Sequence, residues 1–178
     1  MPTTLWAWLI RDSPGRLYGG RVTRELVFIP IARDELAAIE GTPQLTDRPA
    51  HRVTPELLAA LGYTIGQEEE AEYAALTLAS VSALARFGER LVLVAEIPGS
   101  SVVAGDDPDN GACIVTRVDR ESMTCWFSEA PDVDASAAAA AARDLDIDTA
   151  WEFDEVQDLL RNSGLLWNDV EEYRRGLR

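Results

Sequence analysis

Apolar and polar residues alternate along this chain with two different periods. The longest signal is helical. Residues 67–87, QEEEAEYAALTLASVSALARF, contain no Gly or Pro and are rich in helix formers. Glu68, Glu69, Glu70 and Glu72 fill the first turn, where negative charge favours a helix by roughly 0.3–1 kcal/mol per well-placed group. From Tyr73 onward the stretch is nearly all apolar or small, with Leu76, Leu78, Val81, Leu84 and Phe87. A helix apolar on most sides belongs in a core, so this one is expected to be central and to pack across a sheet.

Two strong strands flank it. Residues 24–31, RELVFIPI, are β-branched or aromatic, with Pro30 near the strand's end. Residues 90–97, RLVLVAEI, are almost continuously apolar, as in a strand covered on both faces. Residues 32–40 read as a short helix stopped by Gly41, and 42–50 as a loop with two prolines. Residues 51–53 suggest a short strand. Thr54 then caps a helix whose first residue is Pro55 and whose stop is Gly62. Residues 101–104 suggest another short strand, and 105–111, GDDPDNG, a turn whose Asn110-Gly111 pair suits positive φ.

Residues 112–118 and 122–128 read as a hairpin about Asp119, Arg120 and Glu121. That turn sets Val118 against Met123, Thr116 against Cys125 and Ile114 against Phe127 on a core face, with Cys113 pointing the other way. Residues 135–145 form an alanine-rich helix with Asp134 as its cap, and 151–162 an amphipathic one. Residues 165–177 are expected to form a last helix carrying Leu166, Trp167, Val170 and Tyr173. The fold class is α+β: four or five mostly antiparallel strands, covered by the central helix and the C-terminal helices. Residues 1–21 read as an N-terminal extension, either a strand-forming arm or the product of an early start codon, and 22–178 as a single domain.

Charge changes the picture more than composition does. The net charge is −15, and every cation is Arg, with no Lys. Residues 1–66 hold seven Arg and seven acids and are neutral, whereas 67–178 hold nine Arg against 24 acids. An acidic half repels phosphate, which disfavours nucleic-acid binding, and suits a basic partner or simply solubility. The short apolar run at residues 5–10 is too short to span a bilayer and lacks the basic start of a signal peptide. Two cysteines, Cys113 and Cys125, make no secreted disulfide framework. The expected location is the cytoplasm.

Most catalytic chemistries lack their residues. Without Lys there is no P-loop and no Schiff-base lysine. No G-x-G-x-x-G follows a strand, and no G-x-S-x-G elbow exists. His51 is the only histidine, so any Ser-His-Asp or Cys-His arrangement would run through it. Asp106, Asp107 and Asp109 invite a calcium reading, but the twelfth loop position is Arg117 instead of a bidentate Glu. Asp144, Asp146 and Asp148 offer carboxylates for Mg²⁺ by alternation alone. Trp126 and Trp167 could line a pocket or simply fill the core.

Several segments nonetheless look familiar. ELVFIPIARDELAAI, HRVTPELLAAL, EEEAEYAALTLASVSAL, RLVLVAEIP and a Leu-Leu-Trp segment near the C-terminus together resemble a family of uncharacterised actinobacterial proteins, a domain of unknown function. The resemblance runs from Glu25 to the C-terminus. Its most specific piece is V-T-P-E-L followed by E-E-E-x-E-Y. It implies a bacterial cytoplasmic protein and transfers no functional residue; chains of this family begin near RELVFIPI, and residues 1–21 depart from that pattern.

The expected function is a non-catalytic protein-interaction or regulatory module with no cofactor and no metal. It would bind a basic protein partner through Glu68, Glu69, Glu70, Glu72, Asp144, Asp146 and Asp148, and neither nucleic acid nor membrane. The alternative is a small-ligand binding protein or a carboxylate-dependent enzyme with an aromatic pocket. A third reading is a DNA mimic, with carboxylates at phosphate-like spacing.

Overall fold

A computed structural model describes residues 23–41, 44–64 and 66–170. The expected extension at 1–21 lies outside them, as do residues 171–177 of the expected last helix. The described chain runs β1 (Arg24–Pro30), α1 (Arg33–Ala38), β2 (Gln44–His51), α2 (Pro55–Leu61), α3 (Glu68–Phe87), β3 (Val92–Pro98), β4 (Val102–Ala104), β5 (Ala112–Asp119), β6 (Met123–Ser128), α4 (Ser136–Ala142), α5 (Ile147–Trp151), α6 (Asp154–Asn162) and β7 (Leu166–Asp169).

Local chemistry places most of these. The Thr54 hydroxyl accepts from the Leu57 amide at 3.1 Å, which starts α2, and Gly62 ends it at φ 69°. Gly88, at φ 78°, ends α3 with its N–H on the Leu84 carbonyl. The Asp134 carboxylate accepts from the Ser136 amide at 2.9 Å at the start of α4. The buried part of α3 runs from Ala71 to Ala85, while Tyr73 and Phe87 are exposed.

The architecture is α+β, with a fully antiparallel sheet in the order β4-β5-β2-β1-β3-β6-β7. It has seven strands where four or five were expected. Two strands were hidden. β2 occupies the expected two-proline loop and pairs along its length with β5, from Gln44–Asp119 to His51–Ala112. β7 occupies the start of the expected last helix: Leu166 to Asp169 pair with Ser128 to Cys125 at the edge of β6. The ladder offered by β6 outweighs a helical spacing of four apolar residues.

The expected hairpin is also corrected. β5 and β6 are joined by the short turn Arg120–Ser122, but β2, β1 and β3 lie between them in the sheet. Four strand spacings span roughly 19 Å in a flat sheet, whereas four Cα steps reach at most about 15 Å. The sheet therefore curls until the end of β5 meets the start of β6 across a seam. It bends between β2 and β1, which share the single rung Phe28–His51. Stepping that register onward sets Pro30 against Pro49. Neither proline has an N–H to give, so the ladder stops there.

The curl makes two apolar compartments. Inside it, Val27, Ile29, Leu93, Ala95 and Ile97 meet Cys113, Val115 and Val118 from the other half, with Leu36 and Ile39 at one end. Outside it, Phe28, Val92, Val94, Cys125 and Phe127 pack under α3, α4, α5 and α6. Thus β3 is covered on both faces, as its continuous apolar run implied. The core face of β5 carries Cys113 and Val115 rather than Ile114 and Thr116. Cys113 and Cys125 lie in different compartments, and burial pushes both thiols up to about 11.

One buried ion pair crosses these layers. Arg90, 3% exposed, donates from Nε to Glu129 at 2.8 Å and from Nη2 to the Ser163 carbonyl at 3.0 Å. It ties the approach to β3 to the segments that follow β6 and α6.

Candidate functional site

The expected acidic residues do not form one cluster. Glu68, Glu69 and Glu70 open α3. Asp144 sits at its other end, with its amide on the Ala85 carbonyl at 3.0 Å. Seventeen residues separate Glu68 from Ala85, roughly 25 Å along a helix axis. Asp144 adopts φ 59°, in the left-handed region that Asp tolerates better than most residues. It lines a small cleft of about 210 Å³ with Arg86 and Arg143. Glu72 lines a wider cleft of about 540 Å³ at the start of β1, together with Arg24, Glu25, Arg52 and Glu56.

The other two aspartates have structural partners. Asp146 caps α5, accepting from the Thr149 amide at 2.8 Å and its hydroxyl at 3.0 Å. These bonds, the backbone one foremost, hold its carboxyl below the usual carboxylate range. Asp148 accepts from the Asn110 side chain at 2.9 Å.

Asn110 gathers what sequence reasoning kept apart. Its amide nitrogen also donates to Asp107 at 2.8 Å. One nitrogen thus sets a carboxylate of the 105–111 loop beside a carboxylate of α5. Two like charges about 5 Å apart repel by roughly 1 kcal/mol in water, and the shared donor offsets this. The Asn110 backbone carbonyl accepts from His51 Nδ1 at 2.9 Å. A carbonyl only accepts, so Nδ1 carries the proton. His51 is 5% exposed, and burial foremost lowers its pKa below the ordinary 6.5. The loop that failed as a calcium site is therefore one wall of an acidic face in which Asp107 and Asp148 are brought together, with Asp106 and Asp109 exposed on the same loop and Asp146 capping α5. The Asn-Gly turn was legible in sequence; its partner 38 residues away was not.

The turn itself depends on Gly111. Its φ is 66°, and a Cβ there would run into the Arg52 carbonyl. The loop is further pinned by the Arg52 amide on the Gly111 carbonyl at 2.9 Å and the Ala112 amide on the Asp107 carbonyl at 3.0 Å.

Six carboxylates outside this face are ion-paired. Among the described residues, Arg33, Arg48, Arg52, Arg90, Arg117 and Arg161 pair with Glu89, Glu35, Glu25, Glu129, Asp119 and Asp158. None of these guanidinium groups neutralises Asp106, Asp107, Asp109, Asp146 or Asp148. Among the described residues, no group of three or more His, Cys, Asp or Glu side chains is arranged to hold a metal ion. Trp126 and Trp167 are half-buried and pack at the edges of the two apolar compartments. No helix among the described residues is long and apolar enough to cross a membrane.

A third cleft, of about 450 Å³, opens where β2 leaves β1. Arg48 grips Glu35 there with two bonds, at 2.6 and 2.8 Å, which hold the Glu35 carboxyl below its usual range. Arg86 and the exposed Phe87 share this cleft.

No curated protein and no solved structure matches the chain. The model of one family does, over residues 26–175. That span holds most of the chain and takes in the curled sheet, its covering helices and both walls of the acidic face, so the protein belongs to DUF6912, a family of unknown function.

Proposed function

We propose that this protein is a non-catalytic interaction module that binds a basic protein partner through the face built from the 105–111 loop and α5. One observation carries the reading: the Asn110 amide holds Asp107 and Asp148 side by side, next to Asp106, Asp109 and Asp146, and none of the six ion-paired arginines described above is matched to any of the five. A protein with 31 acids and 16 arginines must leave some carboxylates unpaired. Leaving them together raises the local negative potential, which steers a cationic partner and speeds its encounter. The actinobacterial origin and cytoplasmic setting implied by the family resemblance belong to this reading.

The test is capture from a lysate of the native cell on the immobilised full chain, at low and at high salt, read by mass spectrometry. One defined basic protein should be retained at low salt, released at high salt, and lost on the Asp106→Asn/Asp109→Asn double variant. Retention of nothing at low salt, or the same proteins on the variant, sinks the reading.

A small-ligand protein remains the second reading. The cleft of about 540 Å³ favours it, since Leu26 and Val53 share its walls with the ion-paired Glu25 and Arg52 and with Glu56 and Glu72. Glu72→Gln should then change ligand-induced thermal shifts in a metabolite screen and leave partner capture untouched.

A further inference from the structure

The acidic face hangs on a single buried ring. His51 occupies the one rung that joins the two halves of the sheet, opposite Phe28 on one side and Ala112 on the other. Its Nδ1–H donates to the Asn110 carbonyl, and the Asn110 side chain holds Asp107 and Asp148 together. Ring, backbone and clamp therefore form one chain of hydrogen bonds from the sheet junction to the surface.

We propose that His51 is a pH-operated latch on this face: protonation of its ring loosens the 105–111 loop and parts Asp107 from Asp148. This rests on the reading above that the face binds a partner, and it names that face's regulation. In the neutral ring Nε2 carries no proton. Taking one up from solvent puts a positive charge and a new donor into a site almost closed to water, which costs free energy unless the site opens. Two charges face the ring. From α3 Arg86 opposes the added charge, and from the loop Asp107 favours it; the rung neighbours Phe28 and Ala112 bring none.

The cheapest opening is the loop. It is pinned by a few backbone bonds, and lifting it gives water access to the ring without disturbing β3, which is laddered on both sides. Burial, the largest effect, and Arg86 lower the ring's affinity for protons, against the Asn110 carbonyl and Asp107, which favour the charged ring; the net direction is down. The latch is thus shut at neutral pH and opens as the pH falls below about 6.5, the ordinary histidine value.

The test is an NMR titration of the full chain from pH 8 to 5, with no partner present. It follows the His51 ring, the Asn110 side-chain amide and the backbone amides of Ala112 and Val94. The ring, the Asn110 amide and Ala112 should shift with one common midpoint below 6.5 while Val94 stays still. His51→Asn keeps a side-chain donor near the Nδ1 position and cannot titrate, so the shift should vanish in it. An Asn110 signal that stays flat while the ring titrates overturns the proposal, and so does the same shift in His51→Asn. Because no partner enters the measurement, failure of the binding reading leaves its outcome intact.

Discussion

The Arg90–Glu129 pair and the Asn110 face use the same functional group in opposite ways. Glu129 is 14% exposed, matched to the buried Arg90 guanidinium and placed where three chain segments meet. Asp107 and Asp148 share a neutral amide and face outward without an arginine. Pairing serves the fold in the first region. In the second the fold supplies only a brace, so the charge stays available. Net charge alone hides this distinction, since both regions contribute carboxylates to the same total.

The sharpest way to break the comparison is to unpair the buried site. Glu129→Ala leaves the Arg90 charge inside the protein and should cost about 3–5 kcal/mol in urea unfolding. A loss below about 1 kcal/mol would mean that Arg90 escapes to water, and the contrast between regions would fade. Next comes the brace. Asn110→Asp replaces two hydrogen bonds to carboxylates by a third like charge and should cost about 1.5 kcal/mol. Raising the salt to 1 M should recover part of that loss, because the repulsion is screened; a loss independent of salt would assign it to backbone geometry instead.

Glu35 sharpens the boundary between the two classes, since its pair with Arg48 is only partly shielded. Its carboxyl is held below the ordinary 4.5 in the fold. Its contribution is therefore present above 4.5 and fades as the pH falls through the lowered value. Glu35→Gln should be less stable than the parent by under about 1 kcal/mol at pH 7, and the gap should close in strong acid. The smallest effect belongs to the outward face. Asp109→Asn should shift stability by no more than about 0.5 kcal/mol, measured by thermal unfolding. A larger loss would give Asp109 a structural task and remove it from the proposed binding surface.

Much of the fold was legible because its signals are local. Thr54 and Pro55, the acidic first turn and Gly88 of α3, and the apolar run of β3 all act within a few residues of themselves. β2 and β7 were not legible. Pro49 argues against a central strand until β1 is seen to stop at Pro30 opposite it. Leu166 and Trp167 favour a helix until the open edge of β6 is present. For the candidate site, the Asn110-Gly111 turn was readable, while its brace to Asp148 was not.

By itself, then, the chain determined its fold class, its central helix, most of its helix ends, the excess of acid in its second half and the chemistries its residues cannot perform. Only the tertiary structure decided which strands are neighbours, that β5 and β6 meet across a seam without pairing, and that His51, Asn110, Asp107 and Asp148 form one connected group. The reason is reach. Caps, turns and periodicity are settled by groups a few bonds apart, whereas strand partners and shared donors are chosen by which distant segments a curled sheet brings together.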